Sequence, residues 1–371
     1  MEIAKIKAFL ARETVLCVAL FLGCASSFLR LPSYRDVDWG VLSILSALML
    51  VVAGLKSIKF LDYIAIRMVN SCRSQKQLIL VLVGITFFAS MLVTNDVALL
   101  TFVPLTLVIG KQLRLDVAQI IIIQTLAANL GSMFTPMGNP QNLFLYAHYA
   151  YTPWNFFKLL LIPTLLAVVY LLMLIDRRRN QALSLELNNI SPPKQKFLLL
   201  YGGLLLLNIG AVLHLIDKYF SLGLTCAVIF LVQRKLFRQI DFSLLMTFIG
   251  FFVFIANISQ TGWVHLLQQS VLGTATGTYL VALISSQFIS NVPAAMLLAG
   301  LTQEADALLL GVNIGGLGTL IASMASVISY KLFIGEHPSL NKSYLKMFAY
   351  YNFLGLLLLG AAVYGYMLTC I

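Results

Sequence analysis

A polar pattern occurs twice inside otherwise apolar sequence, and this repeat constrains the fold more than any other feature of the chain. The first copy lies within 94–146 and the second within 290–330. Without gaps, 129–146 aligns with 313–330 and pairs Asn129 with Asn313, Gly131 with Gly315, Thr135 with Thr319, Asn139 with Ser323, Asn142 with Ser326 and Tyr146 with Tyr330. Asn95 pairs with Asn291 once the segment between the two parts of the pattern is allowed to differ in length. The chain is therefore expected to contain two related halves.

The composition places both copies in a membrane. Apolar residues make up 60% of the chain and charged residues 11%, and the mean hydropathy is +0.91, which is far from the values of soluble domains. The 25 Lys and Arg exceed the 14 Asp and Glu, but they lie in loops at alternate ends of apolar runs, as membrane orientation requires. The sequence predicts an all-α polytopic membrane protein in contact with lipid and without a nucleic-acid partner.

Seven apolar runs have nearly the length of a full membrane span, and four are shorter. The full spans, the first of them uncleaved, are expected at 14–30, 40–55, 155–175, 197–214, 218–233, 243–258 and 345–368. The shorter segments, too short to be crossings, are 78–93, 97–110, 277–290 and 293–301, and they meet in pairs at Asn95 and Asn291. Segment 293–301 would be roughly 14 Å of helix, about half a hydrocarbon core. Each pair is therefore predicted to be a re-entrant hairpin, although two crossings per pair would also return the chain to the same side.

The positions of the basic residues predict an inverted repeat. With a cytoplasmic N-terminus, the inside loops hold 21 of the 25 Lys and Arg. The first hairpin lies between Lys76 and Lys111 and would enter from the cytoplasm, whereas the second has no Lys or Arg beside it and would enter from outside. The predicted N-terminal half, 1–175, has a surface helix at 57–74, a hairpin at 78–110 and a broken helix at 116–153. A cytoplasmic linker follows at 176–196. The predicted C-terminal half, 197–371, has a surface helix at 262–272 that carries Trp263, a hairpin at 277–301 and a broken helix at 305–331.

The helix breaks suggest an ion-binding chemistry. Gly131, Pro136, Gly138 and Pro140 do not fit together in one unbroken helix, whereas the glycines of the second copy could alternatively serve close helix packing. Asn95 and Asn291 are expected to cap the returning hairpin arms, and Asn142 or Ser326 the second halves of the broken helices. Half-helix N-termini near the midplane suit an anionic substrate. Carbonyl, Asn, Thr and Ser oxygens suit Na⁺.

Asp96 is the only acidic residue of the turns and breaks. A carboxylate at bilayer depth costs about 2.5–3.5 kcal/mol on insertion scales, so Asp96 is predicted to be a Na⁺ ligand or a proton carrier; the alternative is a helix-capping carboxylate at a pore mouth. Val292 stands at the matching place, so the ion site should be asymmetric. The candidate substrate- and ion-binding residues are Thr94, Asn95, Asp96, Asn129, Thr135, Asn139, Asn142, Ser290, Asn291, Asn313, Thr319 and Ser323, with Na⁺ at Asn95, Asp96 and Asn129. The sequence predicts no cofactor or metal beyond Na⁺ or H⁺ as the coupling ion.

The order of hairpin, broken helix, linker, hairpin and broken helix resembles the ion transporter superfamily. The segment 94–104, which begins Thr94-Asn95-Asp96 and ends at Pro104, is similar to the arsenite-permease and citrate-transporter branch, in particular to a compact bacterial anion permease. The resemblance implies an inverted repeat, a homodimer and an elevator-type movement. Divalent-anion symporters carry Ser-Asn-Thr at both tips, and those threonines contact carboxylates; Asp96 and Val292 stand in their place here. The resemblance therefore implies the fold but does not imply a dicarboxylate substrate.

These observations together favour an ion-coupled secondary transporter of a small anion, either a carboxylate or an oxyanion, in the bacterial cytoplasmic membrane. A Na⁺/H⁺ antiporter on the same fold is the first alternative, because Asp96 alone could serve both ions. An ion channel is the second, although the chain contains no potassium-filter sequence. An enzyme is not expected, because the chain contains no Gly-x-x-x-x-Gly-Lys, His-Glu-x-x-His or Gly-x-Ser-x-Gly motif.

Overall fold

The computed structural model describes residues 13–176, 181–182, 187–188, 190–259, 261–262 and 271–370, and this part of the chain is almost entirely helical. The one β-type contact within it is an isolated bridge between Ser74 and Ala182. The prediction of an all-α polytopic membrane protein is confirmed. Most of the first basic loop, part of the linker (177–180, 183–186 and 189) and most of the surface helix expected at 262–272, with Trp263, lie outside the described residues.

The N-terminal half contains eight described helices. They are α1 (Thr14–Ser26), α2 (Trp39–Ser57), α3 (Phe60–Val69), α4 (Gln75–Val93), α5 (Asn95–Leu113), α6 (Ala118–Ser132), α7 (Pro140–His148) and α8 (Pro153–Asp176). Helices α4 and α5 form the first hairpin, and α6 and α7 are the two parts of the first broken helix. The surface helix expected over 57–74 is the shorter α3.

The C-terminal half repeats this order after one additional helix. Its described helices are α9 (Gln195–Val212), α10 (Lys218–Gln233), α11 (Phe242–Ile258), α12 (Ala275–Ile289), α13 (Asn291–Ala299), α14 (Ala305–Gly315), α15 (Met324–Glu336) and α16 (Asn341–Cys370). Helices α12 and α13 form the second hairpin, and α14 and α15 are the second broken helix. We call α4–α7 and α12–α15 the hairpin unit, and α1, α2, α9, α10 and α11 the scaffold helices.

The first hairpin has longer arms than its sequence suggests. Five of the seven expected full spans are helices long enough to cross a membrane, whereas those expected at 14–30 and 243–258 are the shorter helices α1 and α11. The expectation that both arms of this hairpin are too short to be crossings is wrong, because α4 and α5 have 19 residues each and are long and apolar enough to cross a membrane. The turn between them nevertheless lies inside the protein, since Asn95 is buried and bonded to the first broken helix. The pair is therefore a helical hairpin whose turn is buried against the first broken helix, and its re-entry from one side of the membrane stays a prediction.

The two halves pack against each other in a reciprocal way. Helix α1 lies on α11 and α2 on α10, while α7 lies on α13 and α15 on α5; the second contact of each pair is the first one with the two copies exchanged. The α1–α11 contact is close because Gly23 and Gly250 face each other, and a Cβ on Gly23 would lie 2.9 Å from the Gly250 carbonyl oxygen. This exchange of partners is the arrangement of a two-fold-related repeat.

The broken helices run in opposite directions between two ends of the molecule. Helix α6 begins and α15 finishes at one end, where the Lys111 ammonium pairs with Glu336 at 2.6 Å. Helix α14 begins and α7 finishes at the other, where the Tyr149 hydroxyl donates to the Thr302 carbonyl at 2.9 Å and Tyr151 donates to Asp306 at 2.6 Å. We call these the Lys111 end and the Tyr149 end. The repeat is thus inverted.

Candidate ion- and substrate-binding site

One residue makes each hairpin turn. Thr94 ends α4 and precedes α5 with φ 78° and ψ 152°, and Ser290 ends α12 and precedes α13 with φ 74° and ψ 153°. Positive φ is uncommon for residues other than Gly and persists where the surroundings enforce it. The expectation that Asn95 and Asn291 are the caps is wrong, because each is the first residue of its helix. The Asn95 side-chain oxygen still accepts from the Asp96 backbone N–H at 2.9 Å, and both asparagines are buried.

The second halves of the broken helices begin at Asn139 and Ser323. Both residues are extended, with φ −152° and −143°, and Asn139 accepts a 2.8 Å hydrogen bond from the Asn142 backbone N–H. Ser323 caps α15 without a side-chain bond. The expectation that Asn142 or Ser326 forms the cap is therefore wrong, since each lies one turn inside its helix. Pro140 follows the cap in the first copy, where its missing N–H has no consequence.

The two breaks are joined by reciprocal hydrogen bonds. Asn129 of the first copy accepts from the Ser323 hydroxyl at 2.9 Å and donates to the Ser326 hydroxyl at 3.4 Å. Asn313 of the second copy accepts from the Asn139 amide at 3.3 Å and donates to Asn142 at 2.7 Å. The aligned residues thus make equivalent bonds across the two-fold relationship, and all six side chains are at most 5% exposed. Four half-helix ends meet at this buried amide and hydroxyl network.

The hairpin tips contact the same network. The Asn95 amide donates to the Asn129 side-chain oxygen at 3.3 Å, and the Asn95 backbone N–H donates to the Gly138 carbonyl at 3.1 Å. In the second copy the Asn291 amide nitrogen lies beside Gly316, where a Cβ would be only 2.8 Å from it. The Ser290 hydroxyl donates weakly to the Ala322 carbonyl at 3.4 Å. Each turn is therefore held by the break of its own copy.

Thr135 and Thr319 each form a hydrogen bond to the hairpin of their own copy. The Thr135 hydroxyl donates to the Met91 carbonyl, and the Thr319 hydroxyl donates to the Gln287 carbonyl at 2.8 Å. Met91 and Gln287 are equivalent positions three residues before the two turns. Each hydroxyl proton is used within the fold, which leaves only the oxygen lone pairs for a ligand.

Gln287 is a polar residue of the site that the sequence analysis missed. Its amide donates to the Gly315 carbonyl at 2.9 Å and to the Leu317 carbonyl at 3.0 Å, and its oxygen accepts from the Thr319 backbone N–H at 2.9 Å. The first copy uses Asn142 instead, whose amide donates to the Met133 carbonyl at 2.8 Å. A glutamine inside an apolar hairpin arm was the signal that could have identified it.

Asp96 is a half-buried residue, and one of its two carboxylate oxygens is buried. Its backbone N–H donates to the Asn95 side-chain oxygen at 2.9 Å, but its Oδ1 is buried without a hydrogen-bond partner. Within the described residues it has no salt bridge, since the ion pairs there join Arg30 to Asp36 and two other exposed or half-exposed couples. A buried carboxylate oxygen needs a cation, a proton or a donor to be stable. Asp96 is thus the point of the site where a small cation or a proton fits.

The remaining chemistry of the site is neutral. The turns 94–96 and 290–292 and the breaks 129–142 and 313–326 contain no Lys or Arg. Among the described residues there is no group of three His, Cys, Asp or Glu that could hold a metal ion. Positive potential for an anion would come from the N-terminal ends of α5, α7, α13 and α15, and oxygen ligands from amides, hydroxyls and carbonyls.

Comparison with known proteins agrees with this architecture. The model of a family described as citrate transporter matches residues 10–328. The chain belongs to the citrate transporter family. It is 32% identical over 306 residues to an uncharacterized transporter of Methanocaldococcus jannaschii, covering 82% of this chain and 83% of the relative. It is 29% identical over 304 residues to the inner membrane protein YbiR of Escherichia coli, covering 80% of each. The chain is accordingly a non-enzymatic membrane transporter, as the sequence predicted.

Proposed function

We propose that this member of the citrate transporter family is an ion-coupled secondary transporter of a small anion, a carboxylate or an oxyanion. The substrate would bind among the half-helix N-termini at the network of Asn129 and Asn313. The coupling cation, Na⁺ or H⁺, would bind at Asp96 with the Asn95 and Asn129 oxygens beside it. The observation that carries the proposal is the unpartnered buried oxygen of Asp96 next to a cluster of amides.

The asymmetry of the site supports coupling rather than passive flow. A cation on Asp96 would remove the negative charge that repels an anion at the adjacent helix ends, so each ion would improve the binding of the other. The second copy has Val292 at the same place and offers no second carboxylate. One charged cation site beside one anion site is the minimum that symport requires.

Transport would proceed by an elevator-type movement of the hairpin unit against the scaffold helices in a homodimer. The reciprocal bonds between the two breaks support movement of the hairpin unit as one body. The protein would lie in a bacterial cytoplasmic membrane with the N-terminus and the Lys111 end in the cytoplasm, a placement supported by the distribution of Lys and Arg and by the name of the Escherichia coli relative.

A thermal-shift screen tests the proposal. Purified protein is heated with citrate, succinate, arsenite, sulfate or phosphate, in NaCl and in choline chloride, at pH 8 and pH 5.5. We expect one anion to raise the melting temperature only when Na⁺ or added protons are present, because the cation neutralises Asp96. A ligand at 100 times its dissociation constant stabilises the folded protein by about 2.7 kcal/mol. An anion that stabilises wild type and Asp96→Asn equally in every buffer would contradict the coupled site.

A Na⁺/H⁺ antiporter is the second candidate, and the lone Asp96 oxygen is the observation that favours it. One carboxylate could bind Na⁺ and H⁺ alternately without any anion. Proteoliposomes loaded with Na⁺ separate the two functions. Proton uptake driven by Na⁺ efflux in the absence of every anion tested would favour the antiporter, whereas anion uptake that depends on the cation gradient would favour the symporter.

A further inference from the structure

Three scaffold helices meet at one polar contact near the ends of their apolar spans. The side-chain oxygen of Gln233, the last residue of α10, accepts from the Ser57 hydroxyl at 3.3 Å and from the Tyr201 hydroxyl at 3.0 Å. Ser57 ends α2, and Tyr201 lies in the second turn of α9. All three helices are long and apolar enough to cross a membrane. We call Ser57, Tyr201 and Gln233 the Gln233 junction, and its place at the span ends puts it at headgroup depth.

Exposed basic side chains lie next to the junction on all three chain segments. They are Lys56 on α2, Lys194 and Lys196 at the start of α9, and Arg234, Lys235 and Arg238 in the 3₁₀ turn that follows α10. None of them forms an ion pair within the described residues. Among those residues, the carboxylates nearest to the junction along the chain are Asp62 on α3 and Asp241, which caps α11. The junction therefore carries an excess of unpaired positive charge.

The opposite end of the same scaffold has a different charge balance. There Arg30 pairs with Asp36, and Lys218 directly follows Asp217, which caps α10. Asp38 caps α2 at this end. These basic residues have carboxylates beside them, so the excess of positive charge is a property of the junction and not of both ends of the helices.

Arg234 is held in a position that suits a phosphate group. Its guanidinium lies 4.2 Å from the centre of the Phe230 ring, and its Nε donates to the Phe230 carbonyl at 3.2 Å. Both terminal amino groups stay without a partner among the described residues, and a guanidinium with free amino groups binds phosphate through parallel N–H bonds. The Lys196 ammonium lies 5.0 Å from the Phe197 ring, which stacks on the ring of Tyr201. Two cations are thus fixed on aromatic rings at the junction.

Apolar side chains are exposed directly beside these cations. Phe230 is half exposed and Leu231 is 81% exposed, both within one turn of Arg234, and Leu199, one turn from Lys196, is 67% exposed. A free anion would gain nothing from this surface, whereas a phospholipid would place its acyl chain on it and its phosphate on the basic residues. Lys and Arg next to a membrane span attract anionic headgroups in the same way.

We propose that the Gln233 junction binds an anionic phospholipid, with Arg234 as the ligand of the headgroup phosphate and with Leu231 and Leu199 against the acyl chain. The site lies on the scaffold and shares no residue with the network of Asn129 and Asn313. The inference therefore goes beyond the transported ions and does not depend on which of them the protein carries.

Quenching of tryptophan fluorescence by brominated lipid tests this inference. The three native tryptophans are replaced by phenylalanine, and Leu231→Trp places a reporter at the junction end of α10. The protein is reconstituted in vesicles of phosphatidylcholine and phosphatidylglycerol, one of which is brominated at a time. We expect phosphatidylglycerol to be preferred at least about fivefold beside Leu231→Trp, as one basic residue near an anionic headgroup implies.

A second reporter on the same helix is the positional control. Phe220→Trp lies at the opposite end of α10, where the native side chain is 59% exposed, and should show no more than about a twofold preference, because basic residues and carboxylates are mixed there. Equal preference at the two reporters would refute a site at the junction. Normal quenching of Phe220→Trp by brominated phosphatidylcholine also shows that each variant is folded and inserted.

Two triple variants separate the site from the overall charge of the protein. Changing Arg234, Lys235 and Arg238 to Gln should abolish the preference at Leu231→Trp, and Arg234→Lys alone should lower it because the planar guanidinium is lost. Changing Lys331, Lys342 and Lys346 to Gln removes the same charge from exposed positions of α15 and α16 and should leave the preference unchanged. Equal losses in the two triple variants would mean a general surface attraction and would refute the site.

A soluble competitor separates a lipid site from a site for free anions. Inorganic phosphate should leave the preference at Leu231→Trp unchanged, because it has no acyl chain to place on the apolar surface. Loss of the preference in phosphate, with chloride at the same ionic strength as the control, would assign the junction to a free anion and overturn the lipid assignment. None of these measurements involves uptake, so their outcome is independent of the proposed function.

Discussion

The two helix breaks have the same shape but are stabilised by different groups. In the first, the Asn142 amide of the helix that follows donates to the Met133 and Thr135 carbonyls. In the second, Gln287 of the hairpin satisfies the Gly315 and Leu317 carbonyls. The free carbonyls of the first break therefore accept from the helix that follows the break, whereas those of the second accept from the hairpin. An inverted repeat can keep its backbone geometry while the carbonyls that each break leaves without a helical partner accept from a different side-chain amide in each copy.

The largest difference between the copies should be functional. Asp96→Asn is expected to lower cation-coupled uptake by at least about 100-fold, or ~2.7 kcal/mol, because the ion site loses its charge. Val292→Asn, at the matching position, should stay within a few-fold of wild type. Uptake into proteoliposomes under an imposed cation gradient measures both. Equal losses in the two variants would mean that the copies contribute alike and that the asymmetry has no role.

The next largest difference is expected in stability, when the hairpin residue beside each break is changed. Gln287→Leu leaves two buried carbonyls and one N–H without a partner and should lower the free energy of unfolding by about 3 kcal/mol. The matched change Met91→Leu, at the equivalent position of the first hairpin, should cost under ~1.5 kcal/mol. Unfolding in mixed detergent and sodium dodecyl sulfate compares them. Similar values would show that the second break does not depend on its hairpin.

The glycines that let each broken helix lie against its hairpin should tolerate a methyl group differently. A Cβ on Gly131 would lie 2.3 Å from the Phe87 carbonyl oxygen, whereas one on Gly315 would first meet the Ser286 hydroxyl at 2.7 Å. Gly131→Ala should therefore destabilise by about 2–3 kcal/mol and Gly315→Ala by ~1–2 kcal/mol. Ser286→Gly should relieve Gly315→Ala, whereas Ser90→Gly should leave Gly131→Ala impaired. The same detergent unfolding measures all four, and rescue in both copies would contradict the backbone clash.

The smallest effects are expected where the copies meet at the two ends. Tyr151→Phe removes the hydrogen bond from the buried Tyr151 to the half-buried Asp306 and should cost about 1.5 kcal/mol. Lys111→Ala removes an exposed ion pair with Glu336 and should leave the melting temperature unchanged within error, as exposed pairs contribute little. Melting of the two variants at low and at high salt compares the ends. A salt-dependent loss in Lys111→Ala would reverse the order.

Sequence reasoning located most of the site but not the bonds within it. The alignment of Asn129 with Asn313 and of Asn139 with Ser323 identified residues that the structure brings together. It misassigned the caps, because a single residue with positive φ at Thr94 and Ser290 shortens the turn and moves Asn95 and Asn291 into the first helical turn. Gln287 was missed because a lone glutamine in an apolar segment gives no periodic signal, and its value depends on carbonyls that lie close only after folding.

The sequence by itself determined the class of the protein, its repeated organisation and the polar residues of its centre, because hydropathy, helix-breaking residues and a repeated motif are local properties that burial in lipid requires. Only the tertiary structure decided that the turn of the first hairpin is buried against the first broken helix, that the amides of the two breaks pair between copies, and that Asp96 keeps one buried oxygen without a partner. Those outcomes depend on which surfaces meet when the halves pack, and contacts between distant residues are set by the shape of the whole unit rather than by any local pattern.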